Sequence, residues 1–293
     1  MIPKFNNKKV LCIGEVLWDN LPGGTMPGGA LLNIAHHLHN KKIPVTLVSK
    51  VGTDTKGIEL LGHMKEAGLK TDVIYFDDTL PTSEVDVNID RFKNIKYSIC
   101  EPVAWDNLKI NMKIVDFAGT AGAIVYGSLA SRNNITQDTI RVLLSFDNVK
   151  IMNVNLRPPY DTKELVEPLL KKADIAKLKE QEMDQILGWH NKVIISEKDK
   201  LKWLSEFYDC SIICLTKGKN GAVVYNNILY THPGYQTETR DNVGTGAAFL
   251  AGFISSLISK NTIQQSLDEA CANAALTASS DGAMPEYENK DLR

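Results

Sequence analysis

Gly244-Thr245-Gly246 has the clearest chemical capacity in this 293-residue sequence, because it stands at the start of an apolar helical run, Ala247–Ser259. Glycines let the backbone turn tightly and let a ligand approach the amides. A helix N-terminus adds unpaired N–H groups and the positive end of its dipole, so the stretch suits an anion such as phosphate. The same residues also suit an ordinary turn before a helix. They are not a Gly-Lys-Ser/Thr phosphate loop, and Phe249 stands where a dinucleotide fingerprint has its third glycine. A second glycine-rich helix entry is Pro27-Gly28-Gly29-Ala30-Leu31-Leu32-Asn33. Its amides and Asn33 can meet the hydroxyls of a polar ligand, or serve only as loop and helix cap. His36, His37 and His39 lack the i, i+4 spacing of a helical zinc pair and are expected as exposed helix histidines. Cys12, Cys100, Cys210, Cys214 and Cys271 are scattered and odd in number, which reads as buried free thiols rather than a zinc site.

Turns of this kind need a rigid frame. Val10–Ile13, Val45–Val48, Ala123–Tyr126, Lys150–Leu156 and Ile212–Leu215 read as buried strands. They alternate with helical patterns at Leu31–His39, Gly57–Ala67, Thr136–Leu144, Lys163–Lys171 and Lys200–Phe207, and the last third adds Ala247–Ser259 and Ile263–Ser279. This rhythm predicts βαβ units and a mostly parallel sheet covered on both faces. Ser83–Asp90 differs, because Val85, Val87 and Ile89 alternate with acidic and amide residues. With Ile95–Cys100 after a turn at Arg91–Asn94, it predicts a half-buried hairpin standing off the main sheet. A net charge of -2 gives no footprint for nucleic acid or an anionic membrane. The polar N-terminus and the lack of a run of about 20 apolar residues predict a cytoplasmic protein.

Taken together and in order, these motifs resemble the ribokinase/PfkB family of carbohydrate kinases. Pro27–Asn33 is similar to its N-terminal Gly-Gly signature, and Asp241-Asn242-Val243-Gly244-Thr245-Gly246-Ala247 to its C-terminal one. Gly14-Glu15-Val16-Leu17-Trp18-Asp19 resembles its first strand and sugar-binding acid, and Val51–Gly57 its Val-Gly-x-Asp-x-x-Gly turn. Glu101–Asp106, Gly127–Ala130 and Asn155–Pro159 look like the fructokinase branch, and Thr216–Gly221 like the nucleotide-side turn. The likeness runs from about Val10 to Tyr287. It implies an α/β, ribokinase-like fold: one domain over residues 1–293 with a mostly parallel central sheet flanked by helices, and a small β-sheet lid from about 15–27 and 80–102. It implies transfer of the ATP γ-phosphoryl group to a fructose-like sugar, with magnesium (Mg2+) and potassium (K+), and a homodimer through the lid. Asp19, Gly28, Gly29 and Asn33 would hold the sugar. Gly244, Thr245 and Gly246 would form the anion hole. Thr216, Gly218, Gly221 and Asn273 would lie near the nucleotide, with Asn155, Arg157, Lys179 and Glu182 near phosphate and metal. Asp241 and Val243 would sit by the monovalent cation, and the Ala278–Ala283 turn would close that site.

The departures bear on chemistry. The proton-accepting aspartate of the C-terminal signature is Ala247, and a methyl group accepts no proton. Lys179 stands at the asparagine of Asn-x-x-Glu, and Asn153 at the first acid of Asp-x-Asn-x-Arg. Leu31 and Asn242 replace a proline and a threonine. The expectation is therefore a sugar kinase with an impaired transfer step. The alternative is a pseudokinase that binds sugar or nucleotide and regulates a partner.

Overall fold

A computed structural model of the chain describes residues 2–21, 24–89, 95–240 and 242–287; the Arg91–Asn94 turn and Asp241 lie outside them. Strands covered on both faces read as unbroken apolar runs, and Val10–Ile13 (β1) shows why. Val10 and Cys12 pack into the layer on one face, Leu11 and Ile13 into the layer on the other. Next come Leu17–Leu21 (β2), Gly24–Gly28 (β3), helix Ala30–Asn40 (α1), Val45–Gly52 (β4), helix Thr55–Glu66 (α2), Ile74–Asp77 (β5), Ser83–Ile89 (β6) and Ile95–Ile99 (β7). The middle of the chain holds Met112–Gly119 (α3), Ala123–Gly127 (β8), Asn134–Leu143 (α4), Val149–Asn153 (β9), Lys163–Leu170 (α5), Ile175–Lys179 (β10), Glu180–Trp189 (α6) and Glu197–Tyr208 (α7). The last part holds Ile212–Thr216 (β11), Ala222–Asn226 (β12), Ile228–His232 (β13), Thr245–Ile258 (α8) and Ile263–Ala278 (α9).

The large sheet has the order β13-β12-β11-β10-β9-β8-β1-β4-β5, and only the pairs β11–β12 and β12–β13 are antiparallel. β1 lies between β4 and β8, so the strand order reverses there. Such a reversal opens a crevice at the carboxyl ends of the strands. One face carries α1, α8 and α9, and the other carries α3 to α7. Among the described residues no helix is long and apolar enough to cross a membrane.

The expected small sheet is present as β3-β2-β6-β7, joined through a parallel β2–β6 pair. Asp54 fastens it to the main body: it caps α2 by accepting from Gly57 N at 2.7 Å, and accepts from Thr82 N at 2.7 Å and Thr82 Oγ1 at 2.6 Å. Trp18 Nε1 donates to the Lys56 carbonyl at 3.0 Å, and Lys56 pairs with Glu84.

Three sequence readings change. β9 ends at Asn153 rather than continuing to Leu156, and Asn155 takes a left-handed φ of 43°, a conformation asparagine tolerates better than most residues. Ile175–Lys179, which the sequence reading left unassigned, is a central strand between β9 and β11. The α1 histidines are not all exposed, since His36 and His37 are buried. His37 Nδ1 meets Tyr287 Oη at 2.9 Å and its Nε2 the Ala283 carbonyl at 3.0 Å, and burial pushes its pKa down to about 3. The pair anchors the C-terminal segment onto α1. The cysteines are free thiols, all buried except Cys100, which is exposed.

Candidate functional site

A cavity of about 530 Å3 lies along the carboxyl ends of β1, β9 and β10. Leu17, Asp19, Leu21, Val85 and Ile99 of the small sheet line it, and so do the first residues of α1 and α8.

At the β1 side the lining is rich in acceptors. Gly29, at the N-terminus of α1, has φ 109°, and a Cβ there would stand 2.5 Å from the Glu15 carbonyl, so only glycine fits. The tight entry brings Ala30 N within 3.0 Å of Glu15 Oε1. Glu15 Oε2 and Asn33 Oδ1 are buried without a hydrogen-bond partner, and both side chains line the cavity. Leaving such acceptors unpaired is costly, and the hydroxyl groups of a ligand are suitable donors. The Asp19 carboxylate of β2 also lines the cavity, and a side chain at Gly28 would collide with it at 2.0 Å. Gly28 thus acts by leaving room for Asp19.

Burial pushes the Glu15 carboxyl up to about 6, above its ordinary value of 4.5. The folded state therefore holds the proton more tightly than the unfolded chain. The charge costs stability above pH 6, and that cost vanishes as pH falls through 6 to 4.5. Glu15→Gln is predicted to raise unfolding free energy by about 2 kcal/mol at pH 7 and by little at pH 4.5. Denaturant titrations of both proteins at the two pH values check this, and an equal difference at both would refute it.

At the β10 side the lining is rich in donors. Gly244 caps α8 with φ 79°, pressed so closely on Ala283 that a Cβ would meet the Ala283 methyl at 2.5 Å. The N–H of Ala247 folds back to the Gly244 carbonyl at 2.9 Å, which leaves Thr245 and Gly246 as the first amides of the helix without a helical acceptor. Ala247 itself contributes only a methyl to the cavity wall.

Lys177, in the middle of β10, is 1% exposed. It pairs in register with Asn153 of β9 and Cys214 of β11, on the face turned to α8. A methyl at Gly246 would lie 2.7 Å from Lys177 Nζ, so the ammonium packs against the first turn of α8. No described carboxylate lies within salt-bridge distance of it, and burial pushes its pKa down to about 8. Arg157, Lys179 and Arg240 also line the cavity, with Asn153, Asn155, Asn242 and Val243. Asn153 Oδ1 is buried and unpartnered.

Of the residues read from the sequence, Asp19, Gly29, Asn33, Asn155, Arg157, Lys179, Val243, Gly244, Thr245, Gly246 and Ala247 meet in this cavity. Glu182 does not reach it: Oε1 accepts from Leu156 N at 3.1 Å and Oε2 from Lys179 N at 2.8 Å, which pins the loop after β9 to the start of α6. Thr216 pairs in register with Lys179, and Gly218 and Gly221 shape the turn between β11 and β12, outside the lining. Asn273 is fully buried, and its Nδ2 donates to the Ala248 carbonyl at 2.9 Å, tying α9 to α8. Asp241 lies outside the described residues. Sequence reasoning missed Glu15, Lys177 and Arg240 as lining residues. For Lys177 the available signal was period-two alternation, with Ala176 and Leu178 packing on one face and Ile175 and Lys177 turned to the other.

For magnesium, implied by the resemblance, the donor side offers no cage of acidic side chains, and such an ion would be held largely by phosphate oxygens and water. Among the described residues no group of three or more His, Cys, Asp or Glu is placed to hold a metal ion, and the lining there is cationic.

The sequence profile of pfkB family carbohydrate kinases matches residues 22–290. Fructokinase-2 of Solanum habrochaites is 24% identical, covering 94% of this chain and 92% of its own. The ATP-dependent 6-phosphofructokinase of Thermoanaerobacterium thermosaccharolyticum is 27% identical, covering 98% and 94%. Among solved structures, a fructokinase double mutant from Vibrio cholerae O395, with fructose, ADP and potassium bound, superposes with a TM-score of 0.83 at 19% identity over 99% of this chain and 98% of that one. The fructokinase of Xylella fastidiosa with bound ATP gives 0.80 at 20% identity, over 95% and 94%. The fold is thus ribokinase-like, and with a profile match spanning nearly the whole sequence, this chain belongs to the pfkB family of carbohydrate kinases.

Proposed function

We propose that this chain is a fructokinase-like protein that binds a sugar and ATP in the cavity and transfers the phosphoryl group poorly. The observation that carries the reading is the position of Ala247. Its methyl stands on the first turn of α8, among backbone donors and cations, in a cavity whose other side offers unpartnered acceptors. Sugar hydroxyls suit Glu15, Asp19 and Asn33, and a phosphate suits the Thr245 and Gly246 amides. Proton removal from the attacking hydroxyl lacks the carboxylate that the family resemblance places at position 247. A coupled assay over several hexoses, run beside thermal shift with fructose, ATP and ADP, tests this. The expected result is stabilisation by sugar and nucleotide with turnover far below the usual range of about 1–10³ s⁻¹. Turnover within that range would overturn the impairment.

The second reading, a binder that regulates a partner without turnover, is favoured by Lys177, a cation buried where bound phosphate would be held. Both readings carry one prediction. Because protein cations rather than acidic metal ligands line the donor side, nucleotide affinity is predicted to change less than about tenfold when magnesium is removed with a chelator. Calorimetry with ATP in each condition measures this, and loss of binding without magnesium would refute it.

A further inference from the structure

We propose that the groove between α4 and α5 binds a small amphipathic monocarboxylate, with its apolar body between the helices and its carboxylate at Arg141 and Lys172. The site is separate from the sugar cavity and does not depend on the function proposed above. Both helices pack on the same face of the large sheet, where α4 connects β8 to β9 and α5 connects β9 to β10. Neighbouring helices ordinarily close on one another at about 8–10 Å. Here they do not close, and a cavity of about 310 Å3 lies between them. Its lining follows helical spacing: Gln137, Arg141 and Leu144 on one side of α4, and Leu165, Pro168, Leu169 and Lys172 along α5 and just past its end. Leu144 and Leu169 are buried and form the floor, while Arg141 and Lys172 are exposed at the mouth. The floor is held in place, because the Leu169 carbonyl accepts from Tyr126 Oη of β8 at 2.9 Å and from Lys172 N at 3.1 Å. Pro168, inside α5, contributes a compact ring that does not reach across the gap.

The charges at the mouth have one sign. No acidic side chain lines the groove. The Arg141 guanidinium meets Asp138 at 3.1 Å, but both side chains are exposed and such a contact is worth little. Glu167, on α5, is taken by Lys163 and Lys171, and among the described residues no carboxylate lies within salt-bridge distance of Lys172. A purely apolar ligand would leave the two cations unused, and an inorganic anion would leave the leucine walls wet. An acid with a hydrocarbon body satisfies both, and the guanidinium fork suits a carboxylate in particular. At about 30 Å3 for each water-sized group, the groove takes about ten non-hydrogen atoms. Octanoate and phenylacetate are of that size.

Calorimetry on the full chain, without sugar or nucleotide, tests this with octanoate, phenylacetate, acetate and octylamine. The tighter of the two larger acids is expected to bind with a Kd at or below about 1 mM. It should bind at least about tenfold more tightly than acetate, which lacks the apolar body, and than octylamine, which carries the opposite charge. The double variant Arg141→Gln, Lys172→Gln changes only exposed positions and should weaken binding of that acid about tenfold. Gln137→Trp, which fills the groove from α4, should weaken it by at least as much. Thermal unfolding confirms that both variants are folded. Failure of both larger acids to bind, equal binding of octylamine, or an affinity that survives in either variant would overturn the proposal.

Discussion

Ala247→Asp is expected to raise the rate of ATP-dependent fructose phosphorylation by about 10²-fold. A positioned general base is worth about 10²–10⁴-fold, and the lower end applies here for a structural reason. Position 247 follows Gly246, against which the Lys177 ammonium packs. A carboxylate at 247 would pair with that ammonium, which lowers its pKa and weakens it as a base. Asn153 lies beside Lys177 across the β9–β10 pair. Asn153→Asp would give Lys177 a partner of its own and release the carboxylate at 247. The double variant is therefore expected to exceed Ala247→Asp by about a further tenfold, and the two changes should not act independently, because both act through Lys177. The measurement is kcat in a coupled assay with saturating fructose and ATP. A folded Ala247→Asp protein with unchanged kcat would show that the missing base does not limit the reaction.

Lys177→Met is expected to stabilise the ligand-free protein by about 3 kcal/mol at pH 7. Burial lowers the lysine from its ordinary 10.5 to about 8, and each pKa unit corresponds to about 1.4 kcal/mol. The folded state binds this proton less readily than the unfolded chain does. Below pH 8 both states carry the charge and its full cost is present, and the cost fades as pH rises from 8 to 10.5. Methionine has a similar length and no charge, so the variant should gain most at pH 7 and little near pH 10.5. Paired denaturant titrations at the two pH values read the difference. A destabilised variant at pH 7 would mean that Lys177 already has a partner in the free protein. Such an outcome would also remove the reason for the cavity to seek an anion.

Much of the frame was legible in the sequence, and the reason is local. A strand covered on both faces must be apolar throughout, so Val10–Ile13 and Ala123–Gly127 declare themselves without any knowledge of their neighbours. The alternation at Ser83–Ile89 marks a sheet with one face exposed, and it is found in the small sheet beside β2. Gly29 and Gly244 are visible because tight helix entries with positive φ require glycine. The sequence also shows Ala247 at the position where the family resemblance would put a carboxylate.

The tertiary structure decided which side chains share the cavity. Ile175–Lys179 carries two lysines and is not assigned as a strand from the sequence, yet insertion between β9 and β11 buries Lys177 against α8 and leaves Lys179 at the rim. Glu182 reads as a site carboxylate, but both of its oxygens are taken by backbone N–H groups that fold brings to it, one of them 26 residues away. His36 and His37 read as surface histidines until the C-terminal segment, some 250 residues on, packs over them. Periodicity and turn chemistry act over a few residues and are written in the chain itself. The pairing of buried charges depends on strand order and on contacts between distant segments, so only the folded protein determines whether a lysine faces water, a carboxylate or an empty cavity.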